Sequence, residues 1–188
     1  MSVVASVQIE GQPFDMFVVG DAAVVFSLAS GAPVYQSAGV TPSGSFAGYG
    51  TDGNEAKGFH VQDGMGFTLL RHAGIVIALV TARISPVVER RGRELQVPHV
   101  HTGERSKLAC MQRIAGEMGI GMDEVAFMGD DLPDYPVMRR VGLATCPKNS
   151  APELFPIANY VSPYNGGEGC VRDVIEKVLR LQGKWSED

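Results

Sequence analysis

The sequence predicts an α/β protein built on a parallel sheet with helices on both faces, and three observations carry that prediction. From about residue 56 onward, apolar runs of strand length alternate with amphipathic segments of helix length, which is the pattern of strand–helix–strand crossovers. The run IVIALVT (75–81) is unbroken and rich in β-branched residues, as suits a strand covered on both sides. Residues fitted to helix ends stand where the pattern needs them: Ser85-Pro86 and Ser106 at starts, Gly74 and Gly119 at stops.

Taken in order, DGMGFTLLRHAG (63–74) has helical spacing and closes on Gly74 before the 75–81 strand. Ser85 caps a helix reaching to about Leu95, and PHVHT (98–102) reads as a short strand. Ser106 caps 107–118, EVAFM (124–128) is the next strand, and DYPVMRRVG (134–142) is expected to be helical. LATC (143–146) and NYVS (159–162) are short strands. The last helix runs from about Val171 to Gln182, with Val171, Val174, Ile175, Val178 and Leu179 on one face. Residues 1–55 differ. They hold strand-like segments (MFVV, AAVVFSL) broken by a Gly, Ser and Pro-rich stretch from Ala29 to Gly50, and predict a first strand with a small β-hairpin flap near the N-terminus.

A chain of 188 residues and 20.1 kDa is the size of one domain, here expected over 1–188, with about 22–50 as its divergent part. The net charge of −5 and pI near 5.4 give no basic footprint for nucleic acid, so an anionic ligand needs a locally built site. Three cysteines (Cys110, Cys146, Cys170), widely spaced and without a C-x-x-C, indicate neither a disulfide framework nor a zinc motif. No segment approaches a membrane span, and the first residues lack a signal-peptide pattern. A cytoplasmic protein without membrane or nucleic-acid partners is expected.

In parallel sheets ligands bind beyond the carboxyl ends of the strands, and three ends carry chemistry. After 75–81 come Thr81, Ala82 and Arg83, a hydroxyl with backbone N–H groups able to hold a phosphate oxygen. Lys107 opens a helix, where its ammonium adds to the positive end of the dipole. The stretch GDDLPD (129–134) delivers Asp130 and Asp131, hard oxygen donors of the kind Mg²⁺ prefers. Singly each has a bland reading as a strand end, a solvated lysine or an acidic helix cap; their order in an alternating chain is more specific. His99-x-His101 lacks a third metal ligand nearby in sequence and reads as an ordinary edge or loop pair.

The stretches DGNEAKGFHVQDGMGFTLL (52–70), VTARISPVVERRGRELQV (80–97), 105–143 and 158–185 resemble the haloacid dehalogenase superfamily of aspartate-nucleophile phosphatases, within it the small tetrameric sugar-acid phosphatases of the 3-deoxy-D-manno-octulosonate 8-phosphate phosphatase-like family. The resemblance implies a Rossmann-like sheet, Mg²⁺ as cofactor, a sugar-acid phosphate as substrate and a homotetramer. By it Thr81 and Ala82 bind phosphate, Lys107 stabilises the transferring phosphoryl group, and Asp130, supported by Asp131, holds Mg²⁺. Arg172, in GGEGCVRD (166–173), falls in a segment that reaches a neighbouring subunit's site. Gln62 stands where the family has an arginine facing an anionic substrate.

The family's first motif, D-x-D-G-V-L-T-D-G, supplies the nucleophile and the acid/base, and no D-x-D occurs in residues 1–60. Three registers remain open. FDMFVVGDAAVV (14–25) offers Asp21 as nucleophile, AVVFSLASG (23–31) offers Ser27, and VYQSAGVTPSG (34–44) offers Gln36; the acid/base position is then Ala23, Ala29 or Ala38. Loss of a general acid/base typically costs ~10²–10⁴ in rate, and loss of the nucleophile removes the covalent route. The expectation is a pseudoenzyme that keeps a phosphate and Mg²⁺ pocket. The alternative is an active phosphatase using Asp21.

Overall fold

The computed structural model describes residues 57–185 throughout and, before them, the backbone of five short strands. Two of these, β1 (Val7–Ile9) and β2 (Gln12–Phe14), pair antiparallel. β3 (Ala23–Ser27) enters the main sheet, and β4 (Ala47–Tyr49) pairs antiparallel with β5 (Glu55–Lys57), a small hairpin that begins only at the end of the 22–50 region expected to hold the flap. The chain continues as α1 (Val61–His72), β6 (Ile77–Val80), α2 (Pro86–Glu94), β7 (His99–His101), α3 (Lys107–Met118) and β8 (Val125–Met128). It ends as α4 (Tyr135–Met138), β9 (Leu143–Cys146), β10 (Tyr160–Val161) and α5 (Cys170–Leu181).

Six strands form one parallel sheet in the order β10-β9-β8-β3-β6-β7. β3 is thus interior: Ser27 lies opposite Val80 of β6, and Phe26 opposite Met128 of β8. Of the three sequence registers, the segment in the sheet is that of the second, ending on Ser27. Asp21 and Gln36 lie outside the described residues, as does MFVV (16–19).

Alternation along the strands splits the core in two. Ile77, Leu79, Ala126 and Met128 join Phe67, Leu70, Val174, Ile175 and Leu179 from α1 and α5 on one face. Ala78, Val80, Val125 and Phe127 join Met111, Ile114, Val137 and Met138 from α3 and α4 on the other. With both faces covered, the strands need continuous apolar runs, and every residue of β6 and β8 is buried.

The helix ends follow the sequence closely. Ser85 accepts from the Val88 N–H at the start of α2, and Ser106 accepts from Ala109 at the start of α3. Gly119 closes α3 with φ +70°, the left-handed conformation that glycine adopts without a Cβ penalty. Three expectations shift. α1 begins at Val61, two residues before Asp63, and ends at His72. The expected helix over 134–142 is one α-turn, Tyr135–Met138, entered through a 3₁₀ turn, Leu132–Asp134. Residues Pro152–Ile157 form a 3₁₀ segment where the sequence predicts only a loop.

The short α4 has a physical cause at its far end. The Gly142 N–H donates to the Met122 carbonyl at 3.0 Å, and a Cβ at Gly142 would strike the Asp123 carbonyl oxygen. The chain must pass this tight against the turn before β8 in order to enter β9, so the helix cannot run on. Gly142→Ala is therefore expected to destabilise the fold by about 1–3 kcal/mol, the usual range for forced overpacking, read as a lower midpoint in urea denaturation.

Candidate functional site

The carboxyl edge of the sheet gathers the chemistry. Thr81 follows β6 and Gly129-Asp130 follow β8, the two strands that flank β3. Thr81 is buried and tied into its neighbours: its N–H donates to the His101 carbonyl (2.9 Å), its carbonyl accepts from Glu104 (3.0 Å), and its hydroxyl oxygen accepts from the Arg83 N–H (3.3 Å). Ala82, beside it, is exposed.

Beyond β8 the acidic loop is organised by a residue to which the sequence reading gave no role. Asp134 is fully buried, and its Oδ1 accepts from Lys107 Nζ at 2.7 Å. Its Oδ2 accepts from the backbone N–H groups of Asp130 (3.1 Å) and Asp131 (3.3 Å). Gly129 permits this wrapping, since a Cβ there would collide with the Asp134 side chain. The signal was present in GDDLPD, whose third carboxylate follows Asp130 by one helical turn. Lys107, Asp130 and Asp131 are thereby brought together, as their order in the sequence predicted.

The three acidic residues divide the work. Asp131 is exposed and its Oδ1 accepts from the Leu132 N–H at 2.8 Å, capping the 3₁₀ turn. Asp130 lines a cavity of about 110 Å³, room enough for several waters. Burial, then the negative charge of Asp134, raise its carboxyl to a pKa of about 6, against the pull of Lys107. A carboxylate this short of positive charge fits a hard divalent cation.

The rest of the cavity is built from Lys57 to His60, Asp63, Gly166, Gly167 and Cys170, over an apolar floor of Phe67, Leu79 and Met128. Asp63 sits at the amino end of α5, where its Oδ1 accepts from the Arg172 N–H at 2.8 Å, a favourable place for a carboxylate. Burial is the main cause of its raised pKa. The nearby His60 Nδ1 is buried without a hydrogen-bond partner among the described residues. Arg172 is engaged within its own chain: Nε donates to Glu176 at 2.7 Å, and the guanidinium lies 5.6 Å over the Trp185 ring. Gln62 is exposed on the first turn of α1.

A parallel sheet that delivers a threonine, a helix-start lysine paired with a buried aspartate, and an acidic loop at its strand ends defines a haloacid dehalogenase-like hydrolase, and the model of that family matches residues 96–175. Among curated proteins, the 3-deoxy-D-manno-octulosonate 8-phosphate phosphatase KdsC of Salmonella typhi is 38% identical over 138 residues, covering 73% of each chain. The KdsC of Yersinia pestis is 36% identical over 135 residues, 72% of each. Among solved structures, the Yersinia pestis phosphatase superposes with TM-score 0.77 at 31% identity, over 87% of this chain and 83% of that one. The Moraxella catarrhalis phosphatase, in complex with magnesium ion, phosphate ion and KDO, gives 0.76 at 30%, over 86% and 87%. The chain belongs to the haloacid dehalogenase family, in its KdsC-like branch of sugar-acid phosphate phosphatases.

Two outcomes test this reading of the site. Asp134→Ala removes the carboxylate bonded to the buried Lys107 ammonium, so a loss of about 3–5 kcal/mol is expected in chemical denaturation, with much of it recovered when Lys107→Met is added. In metal-free protein, Asp130 has a higher pKa folded than unfolded, so the folded state binds the extra proton. Its cost to stability is absent below about pH 4 and complete above about pH 6. Asp130→Asn should accordingly raise the melting temperature at pH 7.5 and leave it unchanged near pH 3.5, as followed by circular dichroism.

Proposed function

We propose that this chain is a sugar-acid phosphate phosphatase homologue that binds phosphate and Mg²⁺ in the inherited pocket but does not hydrolyse phosphate esters by the covalent route. One observation carries this reading: β3, the strand between β6 and β8, ends on Ser27, and residues 22–51 contain neither Asp nor Glu. A seryl oxygen with alanine two positions on offers neither an attacking carboxylate nor an acid to protonate the leaving alkoxide.

What remains suits binding. Thr81 and Ala82 at the end of β6 and Lys107 at the start of α3 would receive the phosphoryl oxygens. Asp130 would hold Mg²⁺, with Asp131 adjacent; with only one carboxylate of the acidic loop facing the cavity, the ion would keep most of its shell as water. The Mg²⁺, when bound, supplies positive charge against the phosphate. Its Moraxella catarrhalis relative in complex with magnesium, phosphate and KDO supports a 3-deoxy-2-ulosonate phosphate as the ligand class. A homotetramer in the cytoplasm, with Gln62 and Arg172 near a subunit boundary, completes the reading.

The experiment is Mg²⁺-dependent phosphate release from a panel of sugar-acid phosphates at high enzyme concentration, beside thermal shift with Mg²⁺ and inorganic phosphate. The expected result is no turnover, with a rise in melting temperature of several degrees at ~100 times Kd that is lost in Asp130→Ala and Lys107→Ala. The double change Ser27→Asp with Ala29→Asp should create Mg²⁺-dependent turnover. Turnover by the unaltered chain that disappears in Asp21→Asn would overturn the reading and establish the Asp21 enzyme in its place.

A further inference from the structure

Away from the pocket, the connection from β7 to α3 brings three metal-ligating side chains together. His101 ends β7, Glu104 stands in the loop, and Cys110 lies in the first turns of α3. An imidazole nitrogen, a carboxylate oxygen and the thiol sulfur lie within 4.8 Å of one another. This is the one such His, Cys and acidic cluster among the described residues. His99 is not part of it; its ring stacks against His101 at 6.2 Å. Only His101 of the histidine pair takes part, and folding brings it two companions, Glu104 from three residues on and Cys110 from nine.

The donors are held in place by the backbone. The His101 carbonyl and the Glu104 N–H are both bonded to Thr81, at 2.9 and 3.0 Å. Gly103, at φ +76°, turns the chain between them, and its N–H donates to Arg83. His101 Nε2 is closed off from solvent and has no hydrogen-bond partner among the described residues. Arg113 shows what the cluster attracts: its Nη2 donates to Glu104 Oε1 at 3.0 Å and to Cys110 Sγ at 3.5 Å. Two of the three donors therefore already share a cation.

We propose that His101, Glu104 and Cys110 form a structural site for a borderline-soft divalent cation of the Zn²⁺ type, which displaces the Arg113 guanidinium. A nitrogen, sulfur and carboxylate donor set selects such an ion over Mg²⁺ or Ca²⁺. Tetrahedral bonds of about 2.0–2.3 Å put ligand atoms roughly 3.5 Å apart, so the cluster closes by side-chain rotation. The Glu104 and His101 side chains keep 29% and 22% exposure, enough for a water as fourth ligand. Burial holds the His101 pKa below its ordinary value, so the ring is neutral and can ligate at pH 7. The Cys110 thiol gives its proton to solvent as the sulfur–metal bond forms. Arg113, 47% exposed, can turn to Glu117, one helical turn on. The ion would clamp the β7–α3 loop, which carries Thr81's backbone partners and leads into Lys107.

The test uses the full chain carrying Asp130→Asn, so that the acidic loop is not the binding site, stripped of metal and titrated with Zn²⁺ by calorimetry and with Co²⁺ by absorption. One equivalent with micromolar or tighter affinity is expected, with a thiolate-to-cobalt charge-transfer band. His101→Gln and Glu104→Gln, both at partly exposed positions, should each weaken binding at least tenfold. Arg113→Gln should tighten it, and Cys110→Ala should abolish the cobalt band. Absence of saturable one-to-one binding, affinity unchanged in both His101→Gln and Glu104→Gln, or bound cobalt without the sulfur band would each overturn the proposal.

Discussion

The buried pair between Lys107 and Asp134 is the interaction on which the site's geometry depends. Both side chains are nearly or wholly removed from water, at 7% and 0% exposure, and an isolated charge in either position would be costly. The cost is offset because Asp134 is saturated: one oxygen takes the ammonium, and the other takes the N–H groups that open the loop after β8. Two separate parts of the chain, the start of α3 and the loop after β8, are fastened by one carboxylate. The start of α3 is fixed by Lys107, the turn at Gly129 is wrapped over the Asp134 side chain, and Asp130 is left facing the cavity.

That arrangement accounts for the behaviour of Asp130. Burial raises the free energy of its ionised form, and a second carboxylate so close raises it further. Lys107 relieves this only in part, because its charge is already shared with Asp134. The loop is thus electrostatically unfinished in the protein alone, and a divalent cation is the natural complement. An acidic loop serving merely as a helix cap would need none of this; Asp131, exposed and bonded to the next N–H, is the residue that behaves so.

The parallel sheet was legible because strands covered on both faces must be continuously apolar, and IVIALVT and EVAFM have no other comfortable place. Ser85, Ser106 and Gly119 marked helix ends because their side chains, or the lack of one, satisfy local backbone groups whatever the tertiary context. The length of α4 was not legible, since Gly142 approaches the turn before β8 only in the folded chain. Nor was the role of Asp134: spacing alone cannot say which of three neighbouring carboxylates turns inward. The identity of the first strand was open for a similar reason, as several short segments had comparable propensity. The sheet took Ala23–Ser27, a run of Ala, Val, Val and Phe that ends on serine, where VYQSAGV would have buried an amide between β6 and β8.

Under the proposed reading, that choice of strand changes the charge at the centre of the sheet's carboxyl edge. In the aspartate-nucleophile phosphatases a carboxylate stands there, and it must be neutralised by metal before a phosphate dianion can approach. On that reading a serine replaces it, at the end of the strand that lies between β6 and β8. Repulsion toward an anion falls, while the attraction for Mg²⁺ falls with it, because the ion loses a charged ligand. The two ligands are then coupled more loosely than in the parent design: phosphate can bind at Thr81 and Lys107 with little help from the metal. A pocket altered in that way would favour occupancy over turnover: on the proposed reading, the same loss of one charge that would end the chemistry would make the site a better resting place for the anion.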